Sequence, residues 1–170
     1  MKTAKHFTAI SIAVAMLFIW SNNYAQKKSS AAFYDYEVQC LGAGMDGTQL
    51  IKVWGYGKNK TEAVEQAKKN AVHAVVFKGI PTGKSGCMQR PLATKAGTEQ
   101  QHKDYFESFF KKSGPYLKFV TLSNDGSIDP ADRLKAGKKY KMGVTVTVMH
   151  SALRKELEAA GVIEKLDSGF

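Results

Sequence analysis

The chain has 170 residues and a mass of 18.7 kDa, with 25 Lys+Arg against 15 Asp+Glu for a formal net charge of +10. That is one domain's length, and 44% apolar with 24% charged residues exclude wholesale disorder and collagen-like repetition. Two cysteines are too few for a disulfide-dense miniprotein or a four-thiolate metal site.

Lys2 and Lys5 precede an apolar run over residues 7–20, and Tyr24-Ala25-Gln26 follows. A charged start, a hydrophobic stretch and a small residue before the cut predict a signal peptide over 1–25. The run is shorter than the about 20 residues a membrane-crossing helix needs. No cysteine stands near the cut, so a lipoprotein anchor is not expected. The expectation is an exported mature chain without a transmembrane segment, in the periplasm or at the cell surface. Removing residues 1–25 takes two lysines and no acids, leaving 23 cations against 15 anions.

Residues 26–32 read as a flexible leader and 33–170 as a single domain. Tyr34, Tyr36, Val38 and Cys40 alternate with polar residues, the period of a half-buried strand. A glycine-rich turn over 42–47 leads to a second strand over 50–56. There Ile51 and Val53 take one face, and Leu50, Lys52, Trp54 and Tyr56 the other; a turn of this length predicts a hairpin. Asn59, with Glu62 three positions on, is a capping-box start for a helix. Ala63, Ala67, Ala71 and Ala74 line one stripe of that helix with Val64 and Val75, while Glu62, Glu65, Lys69 and His73 lie away from it. Gly79 and Pro81 stop it. Methyl-sized side chains let such a helix approach a sheet closely.

Residues 81–98 read as loop. A second helix is predicted over 99–112, burying Tyr105, Phe106, Phe109 and Phe110, then a strand over 117–122 and a polar excursion over 123–137. The longest strand is predicted over 139–149, with Tyr140, Met142, Val144, Val146 and Val148 on one face and Lys141, Thr145 and Thr147 on the other. A last helix opens at Ser151 and ends at Gly161, pairing Leu153 with Leu157. The order ββααββα predicts an α+β fold, a four-stranded antiparallel sheet with helices packed on one face.

Motifs that carry chemistry are few. Gly42-Ala43-Gly44-Met45-Asp46-Gly47 matches G-x-G-x-x-G, but strand follows it where a dinucleotide site needs a helix N-terminus, so it reads as a hairpin turn. Thr82-Gly83-Lys84-Ser85 resembles the end of a P-loop, yet the required first glycine is Lys78. His73, His102 and His150 lack metal-ligand spacing, and the carboxylates are dispersed. No catalytic residue, cofactor or metal is expected.

Cys40 and Cys87 are the only thiols. Export favours a bridge between them, which at a separation of 87 minus 40, or 47 residues, would stabilise by roughly 4 kcal/mol. Cys40 on an apolar strand face is equally compatible with a free buried thiol. Cys87 as the nucleophile of a cysteine hydrolase lacks an identifiable base. Lys135, Lys138, Lys139 and Lys141 form the one compact basic cluster. It could contact an anionic polymer, polysaccharide or nucleic acid, or guard a sheet edge.

The segment Ile51-Lys52-Val53-Trp54-Gly55-Tyr56-Gly57-Lys58-Asn59-Lys60 with Ala63, Ala67, Ala71 and Ala74 resembles the strand–glycine–alanine-helix unit of the lipoprotein-20 family and of the FlgT N-terminal domain. The likeness covers residues 49–80, and the strand at 140–149 fits the sheet such a module needs. It implies a small, non-catalytic α+β module of the bacterial envelope that serves in assembly or as an accessory. Its expected partner is a protein component of that envelope. The missing anchor cysteine and the insert at 81–116 depart from the pattern, and no functional residue carries over. Trp54 and Tyr56 are candidate partner contacts if no helix covers their strand face; ordinary core packing is the alternative.

Overall fold

The period-two stretches form the expected hairpin, β1 (Val38–Ala43) and β2 (Gln49–Gly57), paired antiparallel with Val38 opposite Val53 and Cys40 opposite Ile51. The computed structural model describes residues 36–84 and 89–166, all within the compact unit Ala31–Phe170. The signal peptide and leader expected over 1–32, Tyr34 and Cys87 lie outside the described residues. Gly47 closes the hairpin at φ 75°, a conformation favouring glycine. The G-x-G-x-x-G stretch therefore starts as the end of β1 and continues as a turn that leads into strand.

The antiparallel sheet is organised around β5 (Lys139–Val148). Along one edge β5 pairs with the whole of β2. Its other edge takes β3 (Val120–Leu122) against Val146–Val148, and β4 (Arg133–Ala136) against Lys139–Met142. The sheet thus has five strands, not the expected four. The added strand β4 came from the stretch read as a polar excursion. Gly137, at φ 60°, and Lys138 form a two-residue turn between Ala136 and Lys139, a hairpin connection hidden by the charged residues around it.

Helix α1 (Lys60–His73) starts as its capping residues predict. The Asn59 side chain accepts from the Glu62 amide at 2.8 Å, while the Glu62 carboxylate accepts from the Lys58 amide, one residue before the cap, at 3.0 Å. Ala63, Ala67, Ala71 and Ala74 are all fully buried, and α1 packs on β2 and β5. The closeness of that contact is set by Gly55 and Gly57. A Cβ built on Gly55 would collide with the Ala63 carbonyl and the Ala67 amide and stand 2.8 Å from the Ala67 Cα. Buried Asn70 fastens the two layers: its Nδ2 donates to the Trp54 carbonyl at 2.9 Å, and its Oδ1 accepts from Gln66 at 2.8 Å.

The helix widens into a π turn, Ala74–Lys78, and stops at Gly79 with φ 74°. Carbonyls left open there are used by the next segment, since Leu92 and Ala93 donate to Val75 and Val76 at 3.0 and 2.9 Å. These hydrogen bonds order part of the stretch read as loop.

Other boundaries differ from expectation. The helix expected over 99–112 is two short ones, α2 (Thr98–Gln101) and α3 (Lys103–Phe109), divided at His102. Phe106, Phe109 and Phe110 are buried as predicted and Tyr105 half-buried. Residues 117–119, read as the start of a strand, belong instead to a 3-10 turn, Pro115–Phe119. Tyr116 and Phe119 are three residues apart, so that turn buries both, whereas a strand would send them to opposite faces. The last helix, α4 (His150–Ala159), buries Leu153 and Leu157. It ends in a paired cap: Gly161 donates to Glu158 and Val162 to Leu157 at 3.1 and 2.9 Å.

Candidate functional site

Period two divides β2 between two environments. Ile51, Val53 and Gly55 are buried toward α1, while Leu50, Lys52, Trp54 and Tyr56 point to the other side and are half-buried. On β5 the same division leaves Lys141, Thr145 and Thr147 on that second face, with exposed Lys139 at its end. Trp54 and Tyr56 therefore stand on the sheet face away from α1, as candidates for contact.

The register explains how Trp54 sits there. Its cross-strand partner is Gly143, and a Cβ built on Gly143 would lie 2.9 Å from two indole carbons. The indole lies against the glycine backbone, which it buries. Lys141 Nζ stands 4.7 Å from the indole centroid and 5.7 Å from the Tyr56 ring, and Lys52 Nζ 5.5 Å from the indole. At such distances an ammonium is attracted to the ring's quadrupole. Both cations also have acidic partners: Lys52 pairs with Asp132 at 2.6 Å and Lys141 with Glu37 at 3.4 Å. The result is a charge-balanced patch around one aromatic ring. Beside it, along β1, lies a cleft of about 590 Å³ whose walls include Trp54, Lys52, Glu37, Gln39, Lys78 and Thr82.

The basic cluster does not converge. Register places Lys135 opposite Tyr140 and Leu134 opposite Lys141, so Lys135 and Lys139/Lys141 lie on opposite faces of the sheet. Lys138 occupies the turn between them. Lys139 and Lys141 thus share one face, Lys135 takes the other, and Lys138 sits at the tip.

Cys40 is fully buried and disulfide-bonded, which decides against the free thiol. The sequence's other cysteine, Cys87, lies outside the described residues. Residues 82–84 line the outer edge of β1: Cys40 donates to Thr82 at 2.9 Å, and Lys84 to the Cys40 carbonyl at 3.1 Å. Of the P-loop-like stretch, Thr82 thus gives its carbonyl and Lys84 its amide to the sheet edge.

His73 departs most from expectation. Placed on the wet helix side by its period, its side chain is only 13% exposed. Its ring packs near Phe77 and Phe110, with centroids 5.0 and 6.0 Å away. The Tyr36 hydroxyl is 2.7 Å from Nδ1, and Glu99 Oε1 is 3.8 Å from Nε2. Burial, then neighbouring Lys78, lowers its pKa to about 4, so the ring is neutral at pH 7. With the phenol donating to Nδ1, Nε2 carries the hydrogen toward Glu99. Burial, then Glu99, holds the Tyr36 phenol far above its ordinary range, and burial raises the Glu99 carboxyl. Three titratable groups meet here, and Tyr36 among them is 4% exposed. Sequence pattern could not show this cluster, because the residues that cover His73 come from 36 and from the insert at 99–110.

Among the described residues no three His, Cys, Asp or Glu side chains are grouped as a metal site, and no helix is long and apolar enough to cross a membrane. No family model matches the chain, and neither does any curated protein or solved structure.

Proposed function

We propose that this chain is a non-catalytic accessory or assembly module, exported to the bacterial envelope, that docks another envelope component through the sheet face carrying Trp54 and Tyr56. The observation that carries the docking reading is the division of the sheet. One face is filled by the alanine stripe of α1, and the other holds aromatic and basic side chains around Gly143. A strand needs neither Trp54 nor Tyr56 on its outer face to close the core, whose apolar residues lie on the other side. Export rests on the sequence over 1–25, and the envelope setting also on the resemblance to the lipoprotein-20 family and the FlgT N-terminal domain. Cys40 in a disulfide fits an oxidising compartment. It also weighs against a Cys87 nucleophile, because the sequence contains no third cysteine to leave a thiol unpaired. An anionic polymer held by Lys135, Lys138, Lys139 and Lys141 together is less favoured, since those lysines face different ways.

A photo-crosslinking residue at Tyr56 or Leu134, introduced in living cells, tests the reading. Leu134 is 44% exposed and opposite Lys141. A discrete adduct is expected from both positions and not from Glu65 on the exposed side of α1. The same pattern from all three positions would remove the docking face.

A further inference from the structure

The cleft beside Trp54 is more specific than the sheet face around it. Its polar walls come from three elements: Glu37 and Gln39 precede or lie on β1, Lys52 is on β2, and Lys78 and Thr82 follow α1. Around one indole they place a carboxylate, an amide, two ammonium groups and a hydroxyl. The indole rests against Gly143, and Lys141 and Lys52 stand 4.7 and 5.5 Å from its centroid on flexible stems that a ligand displaces to reach the ring.

Three ligand chemistries can be compared with that lining. A nucleic acid strand needs an excess of cations along its phosphates, yet Glu37 stands in the wall and Asp132 already engages Lys52 at 2.6 Å. An apolar peptide would have to desolvate the Glu37 carboxylate and two ammonium groups without replacing their hydrogen bonds. A pyranose ring meets both requirements. The C–H bonds of one face lie against an aromatic plane, and the hydroxyls around its rim donate and accept, matching mixed acceptors and donors better than a single sign of charge. About 590 Å³ is room for a short oligosaccharide.

We infer that the Trp54 cleft binds a saccharide, with a pyranose stacked on the indole and hydroxyls held by Glu37, Gln39 and Lys52. The inference rests on the docking reading above, whose face it shares, and it names the ligand class.

The chain contains two tryptophans, Trp20 and Trp54, so the full chain carrying Trp20→Phe has its sole tryptophan in the cleft. It is titrated at millimolar concentration with maltotetraose, chitotetraose and tetragalacturonate. A saturable change of Trp54 emission with at least one of them is expected. A preference for tetragalacturonate identifies an acidic sugar, and preference for either of the others a neutral one. Glu37 and Gln39 are exposed, so Glu37→Gln and Gln39→Ala should leave the far-UV spectrum and melting temperature unchanged. Each should weaken binding about fivefold or more, the loss of one net hydrogen bond. Silence with all three sugars, or affinity unchanged in the double variant, overturns the inference. A Tyr56 crosslink to a protein with no sugar response would sink the saccharide and spare the docking face. A sugar response with no specific crosslink would do the reverse.

Discussion

Gly55→Ala is the sharpest probe of how this fold is held together. The added methyl points into the α1 interface, where it meets the Ala63 carbonyl, the Ala67 amide and, at 2.8 Å, the Ala67 Cα. These are backbone atoms of a helix, so no rotamer change relieves the collision and the layers must separate. Overpacking a tight core costs 1–3 kcal/mol, and the upper end applies because nothing flexible can yield. A loss of about 3 kcal/mol corresponds to a melting temperature lower by roughly 6–12 °C in a domain of this size. Urea unfolding followed by circular dichroism gives the free energy directly. Gly42→Ala is the control: nothing lies within 4 Å of its Cβ, so it should be neutral or stabilise by about 0.4–1 kcal/mol. A Gly55→Ala protein within about 0.5 kcal/mol of wild type would refute the view that contact at methyl distance sets the spacing of helix and sheet.

Gln49 is 1% exposed, and among the described residues neither its Nε2 nor its Oε1 has a hydrogen-bond partner. Gln49→Leu should therefore stabilise by about 1 kcal/mol in the same urea assay; destabilisation would count against the desolvation argument. His73 has a folded pKa of about 4 against an ordinary 6.5, so the unfolded chain takes up the proton first. Its contribution is full above pH 6.5 and is lost as pH falls through 4, by about 3 kcal/mol. The raised Glu99 carboxyl acts in the opposite sense and reduces the slope. Stability measured from pH 7 to 4 should fall less in His73→Phe than in wild type, and parallel curves would refute the assignment. Cys40→Ala should lower stability by up to about 4 kcal/mol, the closure entropy of its loop, and abolish the sensitivity of the wild-type melting temperature to reductant. A variant that melts like the oxidised wild type would contradict the disulfide's contribution.

Local rules carry far in this chain where each residue's environment follows from its neighbours. The alternation in β2 and β5, the Asn59 cap, the alanine stripe and the Gly161 stop depend on periods and turn chemistry within a few residues, and the sequence alone determined them. The face occupied by Trp54 and Tyr56 was legible for the same reason. What was not legible depends on pairing between distant segments. The Trp54–Gly143 contact, the separation of Lys135 from Lys139 and Lys141, and the strand β4 follow from register. A shift of one residue would move every side chain to the other face. His73 shows the same limit in a helix: its period points away from the sheet, and only the aromatic insert folding over it makes that side an interior. Periodicity marks which side of an element is apolar, while the cleft beside Trp54 exists because strands and a loop from three parts of the chain meet there.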